Sequence, residues 1–174
     1  MSKINYDLNK IRGIVFDVDG VLSPSTISLG DDGMPIRMVN IKDGYALQLA
    51  VKKGYDIAII TGADTSAIVK RYNALGIKDV YLKASMKLPL LEAWMSDHGL
   101  AADQVAYVGD DIPDYEAMRH VGLAVAPADA AVDIKDIAGY ISPVNGGYGV
   151  ARDLLEQILK AGGHWMSHSE AFGW

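Results

Sequence analysis

The chain contains no cysteine, so no disulfide or thiolate cage can hold it together and no thiol can serve as its nucleophile. Positive charge is also scarce, with 16 Lys and Arg against 22 Asp and Glu and a formal net charge of -6. That deficit disfavours a general nucleic-acid-binding role, because phosphate backbones are held by basic patches. Long apolar runs are missing as well. The opening MSKINYDLNK carries no signal-like apolar core, and each later apolar run is broken by charge before it could span a bilayer. These absences predict a soluble, cytoplasmic protein with neither a membrane nor a nucleic-acid partner. An anionic substrate must then be held by a few local cations or by a metal.

What is present points to an α/β fold. At 174 residues the chain suits one domain, able to bury roughly 70% of its unfolded surface. Apolar β-rich runs alternate with amphipathic helical stretches, the pattern of a doubly wound, mainly parallel sheet covered by helices. Strands are expected at Ile11 to Phe16, Tyr55 to Ile60, Val80 to Leu82, Val105 to Val108, Leu123 to Val125 and Tyr140 to Ile141. Helices are expected from Gly44 to Lys53, from Asp64 or Thr65 to Leu75, from Leu88 to His98, from Tyr115 to Val121 and from Tyr148 to Leu159. Residues 24–41 interrupt the alternation and read as a β-hairpin flap around Gly30-Asp-Asp-Gly33, while residues 162–174 read as a mobile tail. His98, His120, His164 and His168 share no metal-binding spacing and are assigned to the surface or tail; Met86 and Met118 are assigned to the core.

The chemistry concentrates at strand ends. Ile14-Val-Phe-Asp-Val-Asp-Gly-Val-Leu22 sets Asp17 and Asp19 at the end of the first apolar run, and Gly20 turns the chain away. In an open parallel sheet, ligands bind beyond the carboxyl ends of the strands. Two neighbouring carboxylates repel, and a divalent cation is the simplest relief. Alone, the pair is equally a capped turn. Three further strand ends narrow the choice: Thr61-Gly62 after the second strand, Lys87 after the third, and Gly109-Asp-Asp-Ile-Pro-Asp114 after the fourth.

That order resembles the haloacid dehalogenase superfamily of aspartate-nucleophile phosphatases. The resemblance implies Asp17 as nucleophile, Asp19 as general acid and base, and Thr61, Gly62 and Lys87 as holders of the phosphoryl group. It also implies magnesium bound by the Asp17 carboxylate, the Asp19 carbonyl and Asp110. Asp111 and Asp114 would support the metal or Lys87. Receiver domains also combine clustered acids, Thr and Lys, but their phosphorylated Asp ends a middle strand, and here Val80-Tyr-Leu-Lys83 has none. A non-catalytic phosphate-binding module is the remaining alternative of another class.

Spacing narrows the subgroup within that resemblance. Neither the interval from Asp19 to Thr61 nor that from Thr61 to Lys87 leaves room for a cap domain. The chain is most similar to the capless subgroup typified by 3-deoxy-D-manno-octulosonate 8-phosphate (KDO 8-phosphate) phosphatases, through Met38-Val-Asn-Ile-Lys-Asp-Gly-Tyr45 and Gly146-Gly-Tyr-Gly-Val-Ala-Arg152. This resemblance implies a phosphorylated keto-acid sugar as substrate, Lys42 and Arg152 as substrate-binding residues, and a homotetramer whose sites lie at subunit boundaries. Ser23-Pro-Ser, Lys42 and Ala84-Ser-Met depart from the subgroup's pattern and leave a nonulosonate 9-phosphate as the competing substrate.

Overall fold

The computed structural model describes residues 3–167, 169 and 173. In chain order its elements are β1 (Gly13–Phe16), β2 (Ser28–Leu29), β3 (Pro35–Ile36), α1 (Ile41–Lys52), β4 (Asp56–Ile60), α2 (Ser66–Asn73) and β5 (Asp79–Tyr81). They continue with α3 (Lys87–Asp97), β6 (Val105–Val108), α4 (Tyr115–His120), β7 (Leu123–Ala126), α5 (Val132–Ile137), β8 (Tyr140–Ile141) and α6 (Val150–Ala161). Six strands form one sheet in the order β5-β4-β1-β6-β7-β8, and every pairing in it is parallel. β2 and β3 pair antiparallel as a separate hairpin.

Side-chain alternation along β1 explains the two layers. Ile14 and Phe16 join a core with Leu47, Leu49, Leu154, Leu155 and Ile158, which belong to α1 and α6. Val15 faces the other way, into a core with Leu91, Trp94, Tyr107, Met118 and Ile134, which place α3, α4 and α5 on that side. Each fully buried large aliphatic is worth about 1.5–3 kcal/mol, so the strand ends project from a stiff frame.

Several boundaries differ from expectation for identifiable reasons. α1 starts three residues early because Asn40 caps it, its side chain accepting from the Lys42 and Asp43 amides. α6 starts two residues late, after Gly149 at φ 121°. The helix α5 was not expected; its six residues offer only Ile134 and Ile137 as a periodic apolar signal, and no side chain caps it. Met86 is exposed, as the residue before α3, whereas Met118 is buried. The tail is docked at its start, where Trp165 packs edge-on against Tyr45; residues 168, 170–172 and 174 lie outside the described residues. Among the described residues, no helix is long and apolar enough to cross a membrane.

Candidate active site

Parallel neighbours fix the strand ends that carry the acids. The Asp17 amide donates to the Val108 carbonyl at 3.1 Å, extending the β1–β6 ladder by one residue, and the Thr61 amide donates to the Tyr81 carbonyl at 3.0 Å. Beyond Asp17 the chain wraps around the Val18 carbonyl, which accepts from the amides of Val21, Leu22 and Ser23. Gly20 is required in this turn: its φ is +86°, and a Cβ there would lie 1.9 Å from Asp110 Oδ2. Gly146 packs on the same turn, since its Cβ would meet the Gly20 carbonyl at 1.9 Å, and the Gly147 amide donates to the Val21 carbonyl. The glycine-rich stretch before α6 thus buttresses the loop that carries the two aspartates.

The turn opens onto a cleft of about 440 Å³ whose lining includes Asp17, Asp19, Thr61, Gly62, Lys87 and Asp110. Lys87 Nζ lies 3.0 Å from Asp17 Oδ2 and 2.7 Å from Asp114 Oδ1. A buried cation in the first turn of a helix opposes the helix dipole; two carboxylates at contact distance outweigh that cost. Burial pulls the Lys87 ammonium down, but Asp17 and Asp114 more than offset it and its pKa is raised. Asp114 is fully engaged, with Tyr107 OH at 2.9 Å and the Asp110 amide at 3.1 Å besides Lys87. It therefore serves to fix Lys87 and the Asp110 backbone.

Negative charge exceeds positive here. Oxygens of Asp17, Asp110 and Asp114 lie within 4.8 Å of one another. Burial and then the Asp114 charge push the Asp17 carboxyl up to about 6, despite Lys87 and the Val18 amide. Burial, Asp17, Asp114 and Asp111 push Asp110 up to about 8. A hard divalent cation fits this all-oxygen donor set and would relieve both carboxyls. Asp114 already accepts from three donors, so Asp17 and Asp110 are the carboxylates better placed to hold it.

Asp19 lines the same cleft, and there it meets a residue from the hairpin side. Arg37, just after β3, forks onto Asp19 with Nε to Oδ1 and Nη2 to Oδ2, both at 2.7 Å. No periodicity or spacing signals a contact between the hairpin and the first strand end. Lys42 and Arg152, by contrast, are absent from the cleft lining. Lys42 is exposed at the start of α1. The Arg152 guanidinium sits 4.4 Å over the Trp165 ring and bonds Glu156 at 2.9 Å, while its amide donates to Asp43. Tyr45 packs against this group rather than lining the cleft.

Comparison with known proteins agrees with the geometry. The family profile for haloacid dehalogenase-like hydrolases matches residues 77–154. The chain is 37% identical over 153 residues to the 3-deoxy-D-manno-octulosonate 8-phosphate phosphatase of Escherichia coli, covering 88% of this chain and 81% of that one. Among solved structures it superposes on the phosphatase of that name from Yersinia pestis with a TM-score of 0.87 and 35% identity, covering 91% of this chain and 85% of the other. It also superposes on that from Moraxella catarrhalis, in complex with magnesium ion, phosphate ion and KDO, with a TM-score of 0.86, 30% identity and 91% of each chain covered.

Proposed function

The chain belongs to the haloacid dehalogenase-like hydrolases, in the family of 3-deoxy-D-manno-octulosonate 8-phosphate phosphatases, and from that premise we infer that it hydrolyses KDO 8-phosphate to KDO and inorganic phosphate. The observation that carries the mechanism is the position of Asp17, buried at the end of β1 with Lys87 at 3.0 Å and Thr61 in the same cleft.

We propose that an Asp17 oxygen attacks phosphorus while the bond from phosphorus to the sugar oxygen breaks and Asp19 gives its proton to the departing alcohol. Water then attacks the aspartyl phosphate, Asp19 takes a proton from that water, and Asp17 is released as a carboxylate. Lys87 offsets charge on the phosphoryl oxygens, and Thr61 with Gly62 holds them in line. Magnesium is the cofactor; Asp17, Asp110 and the Asp19 carbonyl would hold it, and when bound it supplies Lewis-acid stabilisation of the phosphoryl charge.

The hairpin and the segment after it expose Leu29, Ile36, Met38 and Ile41, with 69% of Leu29 accessible. Exposed apolar side chains on the hairpin of a chain without a cap domain support a homotetramer in which neighbours cover each other's sites. We assign the contact of the exposed Lys42 with the sugar acid to that subunit boundary, whereas Arg152 would have to leave Trp165 and Glu156 to join it.

The test is a substrate panel with magnesium and again in chelator. KDO 8-phosphate should show the highest kcat/KM, roughly a hundredfold above hexose 6-phosphates, and chelator should abolish turnover. A clear win for a nonulosonate 9-phosphate would reassign the substrate, and full activity in chelator would overturn the mechanism.

A further inference from the structure

One short loop is bonded to both of the segments that would hold the metal. Residues 127–131 run from β7 to α5, outside the cleft lining. Their Ala131 amide donates to the Asp110 carbonyl at 2.8 Å, and their Asp129 carboxylate accepts from the Gly146 amide at 2.8 Å. Gly146 packs against the Gly20 carbonyl, and the Gly147 amide donates to the Val21 carbonyl at 2.7 Å. The loop thus holds the Asp110 backbone directly and the turn after Asp19 through two glycines.

The second of these arms depends on Asp129. Residues 143–149 form neither strand nor helix, and Gly147 and Gly149 stand at φ of +80° and +121°. Glycines lose much freedom on ordering, so contacts must fix the stretch. The Ala128 amide fixes one point by donating to the Val144 carbonyl at 3.0 Å; Asp129 fixes the next, two residues on. Gly146 is buried, and without Asp129 its amide would have to move to find another acceptor. Gly20 would follow, because the two backbones are in contact. Magnesium demands near-ideal octahedral geometry, so a displaced ligand carbonyl costs affinity even where every carboxylate ligand is kept.

We propose that Asp129 is a positioning residue of the metal site, holding the turn that carries the Asp19 carbonyl in place relative to Asp110. It acts through Gly146, and what it supplies is an acceptor oxygen for a neutral amide. Its charge is not required, since the side chain is exposed and solvent screens it from the site. The proposal rests on the reading of Asp17, Asp110 and the Asp19 carbonyl as the magnesium ligands.

The experiment measures metal binding apart from turnover. Manganese ion is titrated into the full chain and followed by electron paramagnetic resonance, with magnesium as competitor, for wild type, Asp129→Ala, Asp129→Asn and Asp129→Glu. Asparagine keeps the acceptor and drops the charge, whereas glutamate keeps the charge and moves the acceptor by one methylene. Asp129→Ala and Asp129→Glu should each weaken both ions by roughly tenfold, as is usual when a partner that orients a metal ligand is lost. Asp129→Asn should stay within about threefold of wild type. Turnover of para-nitrophenyl phosphate should follow binding: in Asp129→Ala the magnesium concentration giving half the maximal rate rises by about tenfold, while KM at saturating metal stays within about twofold. Circular dichroism confirms that each variant folds; should Asp129→Ala fail to, the contrast between asparagine and glutamate decides. Wild-type affinity in Asp129→Ala, an asparagine variant as weak as alanine, or a glutamate variant as tight as wild type would each overturn the proposal. A wild type that binds neither ion would overturn the ligand reading, and the proposal with it; a wild type that binds while Asp129→Ala binds equally well overturns the proposal alone.

Discussion

The two ends of the sheet both gather aspartates, and they treat them differently. At the amino ends of β4 and β5, His98 sits between Asp56 and Asp79, with Nδ1 and Nε2 each 3.0 Å from a carboxylate, and Trp94 Nε1 adds a donor to Asp79 at 3.1 Å. At the carboxyl ends of β1 and β6, one lysine serves Asp17 and Asp114 while Asp110 stands beside them, and the Asp17 and Asp110 carboxyls are pushed up to about 6 and 8. Acids that bring their own donors tie elements together. Acids left short of positive charge, at the end where a parallel sheet binds ligands, mark the place where a metal and a phosphate belong.

The contrast can be broken most severely at Asp17. Asp17→Asn should lower kcat by at least about 10⁴-fold yet melt no lower than wild type in chelator at pH 8, because it removes a buried charge from a crowded cluster. Retention of more than about one per cent of the activity would place the nucleophile elsewhere. Lys87→Ala should do the opposite to stability, costing about 3–5 kcal/mol by leaving Asp17 and Asp114 buried without their cation. A urea melt that leaves the midpoint unmoved would show that the lysine is not what holds the cluster.

A third carboxylate sharpens the comparison. Asp43 is buried near the start of α1, away from the cleft lining; its Oδ1 accepts from the Arg152 amide and its Oδ2 has no hydrogen-bond partner. Burial pushes it up to about 6, against the lowering effect of Arg152. A carboxyl raised in the folded state binds its proton more tightly there than in the unfolded chain. Its favourable contribution is therefore complete below about pH 4 and is lost as pH rises through about 6. The loss is on the order of 2–3 kcal/mol, and Asp43→Asn should flatten that part of the stability profile in melts across pH 4.5 to 7.5. A profile with the wild-type slope would contradict the assignment. The smallest effect belongs to the paired end, where His98→Ala should cost about 1 kcal/mol and leave kcat on KDO 8-phosphate within about twofold. A large loss of turnover would mean that the two ends are coupled.

Much of this could be read from residue order. Asp17, Thr61, Lys87 and Asp110 each follow an apolar run, and the sheet brings those run ends together as parallel neighbours, which is why a linear pattern carried a spatial site. Gly54 and Gly76 stopped helices where expected because each adopts a positive φ after its helix. What escaped depended on contacts between distant segments. His98 lies at the surface as expected, but nothing in its neighbourhood announces its two aspartate partners from other strands. Arg152 stood in a motif that resembles the family's, yet its guanidinium is stacked on Trp165 and paired with Glu156, an arrangement set by how the tail returns over α1 and α6. The fork from Arg37 to Asp19 joins a hairpin to a strand end, and no local propensity encodes it.

The central claim is that Asp17, at the charge-deficient end of the sheet, receives the phosphoryl group. Rapid acid quench of the magnesium-loaded enzyme during turnover of KDO 8-phosphate, followed by peptide mass spectrometry, tests it most directly. The account predicts one phosphoryl group on the peptide that contains Asp17, and none in the Asp17→Asn variant. A phosphoryl group on any other residue, or the same adduct in the variant, would contradict it.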